Sequence, residues 1–126
     1  MKDQIDFMDV IEKITGKDPR YNAEAYLFLM KGLNFTVSRL EKRRHVSGQE
    51  LSEGLKLYAI EQFGPMARTV LENWGVSSTE DFGNIVFNMI DAKLLSKTET
   101  DSIDDFKGAY DFKEAFDRAV KYKLGQ

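Results

Sequence analysis

The chain of 126 residues contains no cysteine and one histidine, His45. The missing thiols exclude disulfides, thiolate zinc sites, iron–sulfur clusters and cysteine nucleophiles. A lone imidazole would leave a zinc site to carboxylates, which is an unusual ligand set. No Ser-His-Asp arrangement is signalled either, because no G-x-S-x-G elbow surrounds any serine. The glycines are scattered, and none falls into G-x-G-x-x-G or G-x-x-x-x-G-K-[ST], so no phosphate-cradling loop is expected. Long apolar runs are absent too. The run Tyr26–Met30 is stopped by Lys31, far short of the roughly 20 residues that span a bilayer. The opening residues MKDQIDFMDVIEK carry acids where a secretory signal needs an unbroken apolar stretch. A cytoplasmic location and no membrane partner are therefore expected.

The residues present are those of an ordinary globular protein. Hydrophobic residues make up 42% and charged residues 31%, and the length suits one domain with its own core. Residues 1–126 are read as that domain: a helical pair over 1–45, a core over 47–112, and a C-terminal helix and tail over 113–126. The net charge of −3 is unevenly spread. Residues 1–44 hold nine Lys/Arg against seven Asp/Glu, and residues 45–126 hold nine against fourteen. The acidic second half counts against DNA recognition by that half.

The apolar spacing is helical for most of the chain. Phe7, Val10, Ile11 and Ile14 mark one face of a first helix over residues 3–14, ended by Gly16. Asp3, Asp6 and Asp9 sit early in it, where the helix dipole favours negative charge. Asp18-Pro19-Arg20 reads as a turn, and Asn22 as the N-cap of a second helix. That helix is apolar over much of its circumference, so it is expected to be central and buried. Gly32 in its middle suggests close approach of another helix.

Ser47–Glu50 spells an S-x-x-E capping box, and Leu51, Leu55 and Ala59 follow on one face. Gly64 and Pro65 separate this helix from a next one, whose inward face is either Met66, Val70 and Trp74 or Ala67, Val70 and Leu71. Gly75 ends it. Ser77–Glu80 spells a second capping box, followed by the stripe Phe82, Ile85, Val86, Met89, Ile90 and Leu94. Residues 94–97 and 109–112 are candidate strands of a small β-hairpin around an acidic loop, residues 98–105. The alternative is a short helical turn capped by Ser102 and Asp105. Residues 113–122 suggest a last helix with Phe116 and Val120 inward. The fold expected is mainly α: a compact multi-helix domain with a winged helix-turn-helix-like core and one small β-hairpin.

Few residues point to chemistry. His45 reads as a polar residue at a helix exit. Glu80 and Asp81 are explained by the dipole of a first helical turn. The acidic cluster 101–105 lacks the glycine and the terminal glutamate of an EF-hand loop. No catalytic, cofactor-binding or metal-binding residue is expected. The candidate patch is basic: Arg39, Lys42, Arg43, Arg44 and His45 can touch phosphates without reading sequence. The plain alternative is a solvated helix C-terminus, whose cations suit the dipole. Tyr21, Phe106, Tyr110 and Phe112 fall outside clear core spacing. Tyr110 and Phe112 are the candidate protein-contact residues.

Several stretches carry a resemblance. These are His45-Val46-Ser47-Gly48-Gln49-Glu50-Leu51, Phe63-Gly64-Pro65-Met66-Ala67, Trp74-Gly75, Thr79-Glu80-Asp81-Phe82-Gly83, Lys97-Thr98-Glu99 and Tyr110-Asp111-Phe112. With them, the chain from Phe7 to Phe116 resembles the Minf-type family of conserved uncharacterised bacterial proteins, of planctomycete and verrucomicrobial type. That family has no established activity, so the resemblance implies no catalytic role for any residue. Lys93 departs from the family pattern, which has glycine before the paired leucines. The turn after that helix is therefore expected to be less sharp.

Two functions follow from these residues. The first is a non-enzymatic binding module that docks on a protein or a ribonucleoprotein such as the ribosome, with the basic patch on RNA phosphates. The alternative is a DNA-binding regulator of winged-helix type that reads bases with residues 79–93, whose outer face holds Glu80, Asp81, Asn84, Asn88 and Asp91. Those carboxylates make sequence-specific DNA the weaker expectation.

Overall fold

The computed structural model describes residues 7–96 and 102–117. The elements run α1 (Phe7–Lys17), α2 (Ala23–Ser38), α3 (Gly48–Phe63), a 3-10 turn at Gly64–Met66, α4 (Ala67–Asn73), α5 (Thr79–Asp91) and a 3-10 turn at Ile103–Phe106. A further helical stretch covers residues 112–117. The chain is mainly helical, and no strand forms among the described residues.

α2 is the central helix. Tyr26 and Leu29 have no exposed surface, and Ala25 and Phe28 are nearly as buried. Its N-terminus is set by Asn22, whose side-chain oxygen accepts the Glu24 N–H at 2.8 Å. α3 packs along α2 at close range. A Cβ on Gly32 would fall inside the Leu55 methyl, and a Cβ on Gly54 would fall on the Thr36 side chain. The two glycines face each other's helix, so each supplies the hole for the other's side chain. The Thr36 hydroxyl donates to the Gly32 carbonyl at 2.7 Å, which keeps this buried oxygen satisfied and pins the rotamer that Gly54 receives.

α4 chooses Ala67 and Leu71 as its inward face. Both are fully buried, and Met66 is left 53% exposed. α4 and α5 end in the same way. After α4, the Val76 N–H bonds Leu71 O at 2.9 Å and the Gly75 N–H bonds Glu72 O at 3.0 Å. After α5, the Leu94 N–H bonds Met89 O at 2.8 Å and the Lys93 N–H bonds Ile90 O at 2.9 Å. Both are Schellman closures, which put the residue after the cap in the left-handed region. Gly75 has φ +95° and Lys93 has φ +66°. The expected blunter turn at Lys93 is thus corrected. The turn is as sharp as a glycine would make it, and a lysine carries the backbone strain.

Three other expectations are corrected. The hairpin does not form: residues 94–96 are turn and bend, and Phe112 opens a helical stretch. Lys97 and the first part of the acidic loop lie outside the described residues. The capped-turn alternative is found in place of the hairpin. The Ser102 hydroxyl accepts the Asp104 N–H at 3.1 Å, and Asp105 accepts the Ser102 N–H at 3.4 Å. In the expected strands themselves, the Leu94 and Leu95 N–H groups go to the Met89 carbonyl, the Ala109 N–H goes to the Thr79 hydroxyl, and Asp111 caps the helical stretch that follows, so these donors are spent outside a strand ladder. α3, α4 and α5 keep the order expected of residues 47–112, but the hairpin wing is missing among the described residues.

The α5 capping box is also shifted. Its N-cap is Ser78 and makes no side-chain cap, while Asp81 accepts the Ser77 N–H at 2.9 Å. Finally, α1 passes Gly16 and closes at Lys17, where the Asp18 N–H bonds Ile14 O at 2.8 Å. The predicted inward residue Val120 lies outside the described residues, and Phe116 is buried as expected.

Two substitutions test these packing arguments by equilibrium denaturation. Gly54→Ala gains about 1 kcal/mol of helix propensity but forces Thr36 and the helix backbone apart at an overpacking cost of about 1–3 kcal/mol. A net loss is expected, and a gain would show that α2 and α3 are not in close contact there. Lys93→Gly relieves the left-handed strain and is expected to raise stability by about 1 kcal/mol. An unchanged midpoint would argue against the Schellman closure.

Candidate functional site

The connection from α2 to α3 carries the basic residues. α2 ends at Ser38, with Arg39 as its C-cap. The chain then passes the half-buried Leu40 and turns through the exposed residues 41–45 until Val46, which is buried and anchors it. Ser47 caps α3 with the expected box: its hydroxyl accepts the Glu50 N–H at 3.0 Å, and Glu50 accepts the Ser47 N–H at 2.9 Å. Arg44 extends this box. Its guanidinium donates to the two Glu50 carboxylate oxygens at 3.0 and 2.8 Å, and also to the His45 carbonyl at 3.0 Å. The Arg44 hydrogen bonds first, and the Ser47 N–H second, hold the Glu50 carboxyl down at about 2.

A cleft of about 250 Å3 opens beside this connection. Leu33 and Val37 of α2, Leu51 of α3 and Val86 and Ile90 of α5 supply apolar wall. Phe106 closes one end, seated where Gly48 and Gly83 have no side chain. Arg43, Arg44 and His45 line the mouth, together with Asn34, Ser96 and Ser102.

The basic cluster is therefore divided. Arg43, Arg44 and His45 line the cleft. Arg39 points elsewhere: its guanidinium lies 5.2 Å from the centre of the Phe35 ring, beside a shallow groove between α2 and α3. Lys42 is exposed and lines neither. Among the described residues, no carboxylate pairs with Lys42 or Arg43.

The aromatic contact residues are corrected. Phe112 is 4% exposed and lies in a cluster with Phe82 and Phe116, at ring distances of 5.6 and 5.1 Å. It offers no contact surface. Tyr110 is half-buried, donates its hydroxyl to Ser52 O at 2.7 Å, and has its phenol pushed well up by burial. Tyr21 and Phe106 are core residues as well. The reason is geometric: the capped turn and the helical stretch after it bring Phe106 and Phe112 against α5, while Tyr21 reaches α5 from the α1–α2 turn, and periodicity places neither.

The outer face of α5 is also occupied. Asn88 donates to Asp18 at 2.9 Å and to the Tyr26 hydroxyl at 3.0 Å. Asn84 donates to the Tyr21 hydroxyl at 2.9 Å, and that hydroxyl donates to Asp81. Burial, then Asp81, push the Tyr21 phenol up to about 12. Asp18 is held well below the usual carboxylate range, chiefly by Arg20, which forks onto it at 2.8 and 2.9 Å. This network joins the α1–α2 turn to α5. Its carboxylates are spent on a guanidinium and a phenol. No group of three or more His, Cys, Asp or Glu among the described residues is placed to hold a metal ion. No described helix is long and apolar enough to cross a membrane.

Sequence reasoning located the basic residues but missed the cleft, because its walls come from three helices. The signal present in the sequence was the pair Gly48 and Gly83, whose missing side chains make room for Phe106. Compared with family models, curated proteins and solved structures, the chain matches none.

The Glu50 lock predicts an acid-sensitive corner. The pair is exposed, so solvent screening keeps its stabilisation small; a carboxyl depressed to about 2 from 4.5 gives it fully above about pH 4.5 and loses it as pH falls through about 2. Glu50→Gln is therefore expected to lower stability at neutral pH and to flatten the decline between pH 4.5 and 2. Denaturation curves at several pH values check this, and an unchanged acid limb would refute the lock.

Proposed function

We propose that this protein is a non-enzymatic binding module that docks on a ribonucleoprotein, such as the ribosome, through the α2–α3 connection. The carrying observation is the state of that connection. Arg39, Lys42, Arg43, Arg44 and His45 are all exposed on it, and neither Lys42 nor Arg43 is paired with a carboxylate among the described residues. Cations presented this way suit phosphates. Arg44 has a second task, because its bond to Glu50 fixes the path of the connection.

The overall charge of −3 does not cancel this patch. Screening at physiological salt confines each charge to a range of about 8 Å. The commitment of Asn84, Asn88 and Asp81 to internal hydrogen bonds favours docking over base reading by α5. The resemblance to the Minf-type family assigns no reaction and is neutral between binding partners.

The test is co-sedimentation with ribosomes from the native cells, using Lys42→Glu/Arg43→Glu. Loss of sedimentation is expected, with the salt slope of any residual RNA binding reduced by about 1.5, near 0.7–0.9 per phosphate contact. Arg44→Glu is a poor substitute, because it also breaks the Glu50 pair. Sedimentation unchanged by the double reversal would sink the docking reading.

A further inference from the structure

We propose that the cleft beside Arg43 receives one unstacked base of a single-stranded RNA whose neighbouring phosphates lie on Lys42 and Arg43; this rests on the docking reading and deepens it. Size is the first argument. The cleft holds about 250 Å3, below the roughly 300–1,000 Å3 of sites that enclose a drug-sized ligand. It suits one flat group rather than a folded element.

Lining is the second argument. Leu33, Val37, Val86 and Ile90 make apolar walls, and Phe87 adds an aromatic ring to the lining. Bases that leave the stack are held on such surfaces. The mouth differs from the walls. Asn34 is exposed there and carries both a donor and an acceptor amide, which can meet a base edge. A wholly apolar occupant would strip water from Asn34 and Arg43 and give nothing back.

Charge is the third argument. Arg43 lines the cleft mouth, and Lys42 is exposed one residue before it. A strand that lays one base in the cleft must carry phosphates on both sides of that base, next to these cations. A duplex keeps its bases stacked and can use only the cations. The cleft therefore converts a general phosphate patch into one that prefers single strands.

The experiment is fluorescence anisotropy with labelled oligoribonucleotides of about eight nucleotides, within the length one such site covers. A duplex of equal length and polyphosphate serve as comparisons. The expected result is single-strand binding about 10-fold tighter than duplex binding, the equivalent of one stacked base. 2-Aminopurine placed in the strand should change emission on binding. Asn34→Trp plugs the mouth from an exposed helix position. It should reduce single-strand affinity to the duplex level and abolish the 2-aminopurine response, leaving duplex binding unchanged. Equal affinity for single strand, duplex and polyphosphate would overturn the base cleft and leave the docking reading standing. No RNA binding at low salt would remove both. Displacement of the strand by a glutamate-rich peptide carrying one phenylalanine, with no 2-aminopurine response, would make the cleft a protein-anchor site and also overturn the proposal.

Discussion

The close crossing of α2 and α3 is the constraint on which the other elements depend. Gly32 accepts Leu55, and Gly54 accepts Thr36, so the two helices meet with side chain against backbone. That contact sets how near the C-terminus of α2 lies to the N-terminus of α3, and therefore how tightly residues 39–47 must turn. The cationic connection is a consequence of this packing. The capping box and the Arg44–Glu50 pair then hold its second half in place. An exposed ion pair contributes little stability by itself. Here its effect is positional, since it turns the Arg44 side chain back onto α3 and leaves Lys42 and Arg43 facing outward.

A second joint holds the opposite side of α2. The Asn22 N–H bonds the Trp74 carbonyl at 2.9 Å, and Gly75 lies against the Arg20 carbonyl with no room for a Cβ. The α1–α2 turn and the α4–α5 turn are thus one backbone contact. Tyr21 and Asp18 extend it by reaching Asn84 and Asn88 of α5. Polar groups at half-buried positions are costly unless paired, and these are paired with each other. Of the α5 residues expected to face solvent, Asp81, Asn84 and Asn88 are half-buried in this seam, while Glu80 and Asp91 stay exposed.

Phe106 shows how the last part of the chain is recruited. It is buried against Gly48 of α3 and Gly83 of α5, at contacts near 3 Å to a built Cβ at either position. One aromatic side chain therefore closes the gap between two helices and forms the end of the cleft. Phe112 and Phe116 form a separate aromatic cluster with Phe82 of α5 and Tyr110. The cleft lies between α2, α3 and α5, with Phe106 among its lining residues.

The sequence alone determined what local rules govern. The order of helices follows from apolar spacing, and the Asn22 and Ser47 caps follow from side chains that reach their own backbone. Gly32 signalled a close helix contact, and the run Arg39–His45 signalled an exposed cationic patch. Tertiary structure decided the rest. No hairpin formed among the described residues, because the Leu94 and Leu95 donors close the end of α5 on the Met89 carbonyl and Ala109 donates to Thr79. The α5 start moved by one residue, and Asp81 there accepts both the Ser77 N–H and the hydroxyl of Tyr21, sixty residues away in the chain. Lys93 took a glycine's conformation, because the Schellman closure of α5 fixes that backbone whatever residue occupies it. Apart from Gly48 and Gly83, which seat Phe106, nothing in the sequence marked the cleft. Its walls come from α2, α3 and α5, and no periodicity within one segment records how far apart three segments will come to rest.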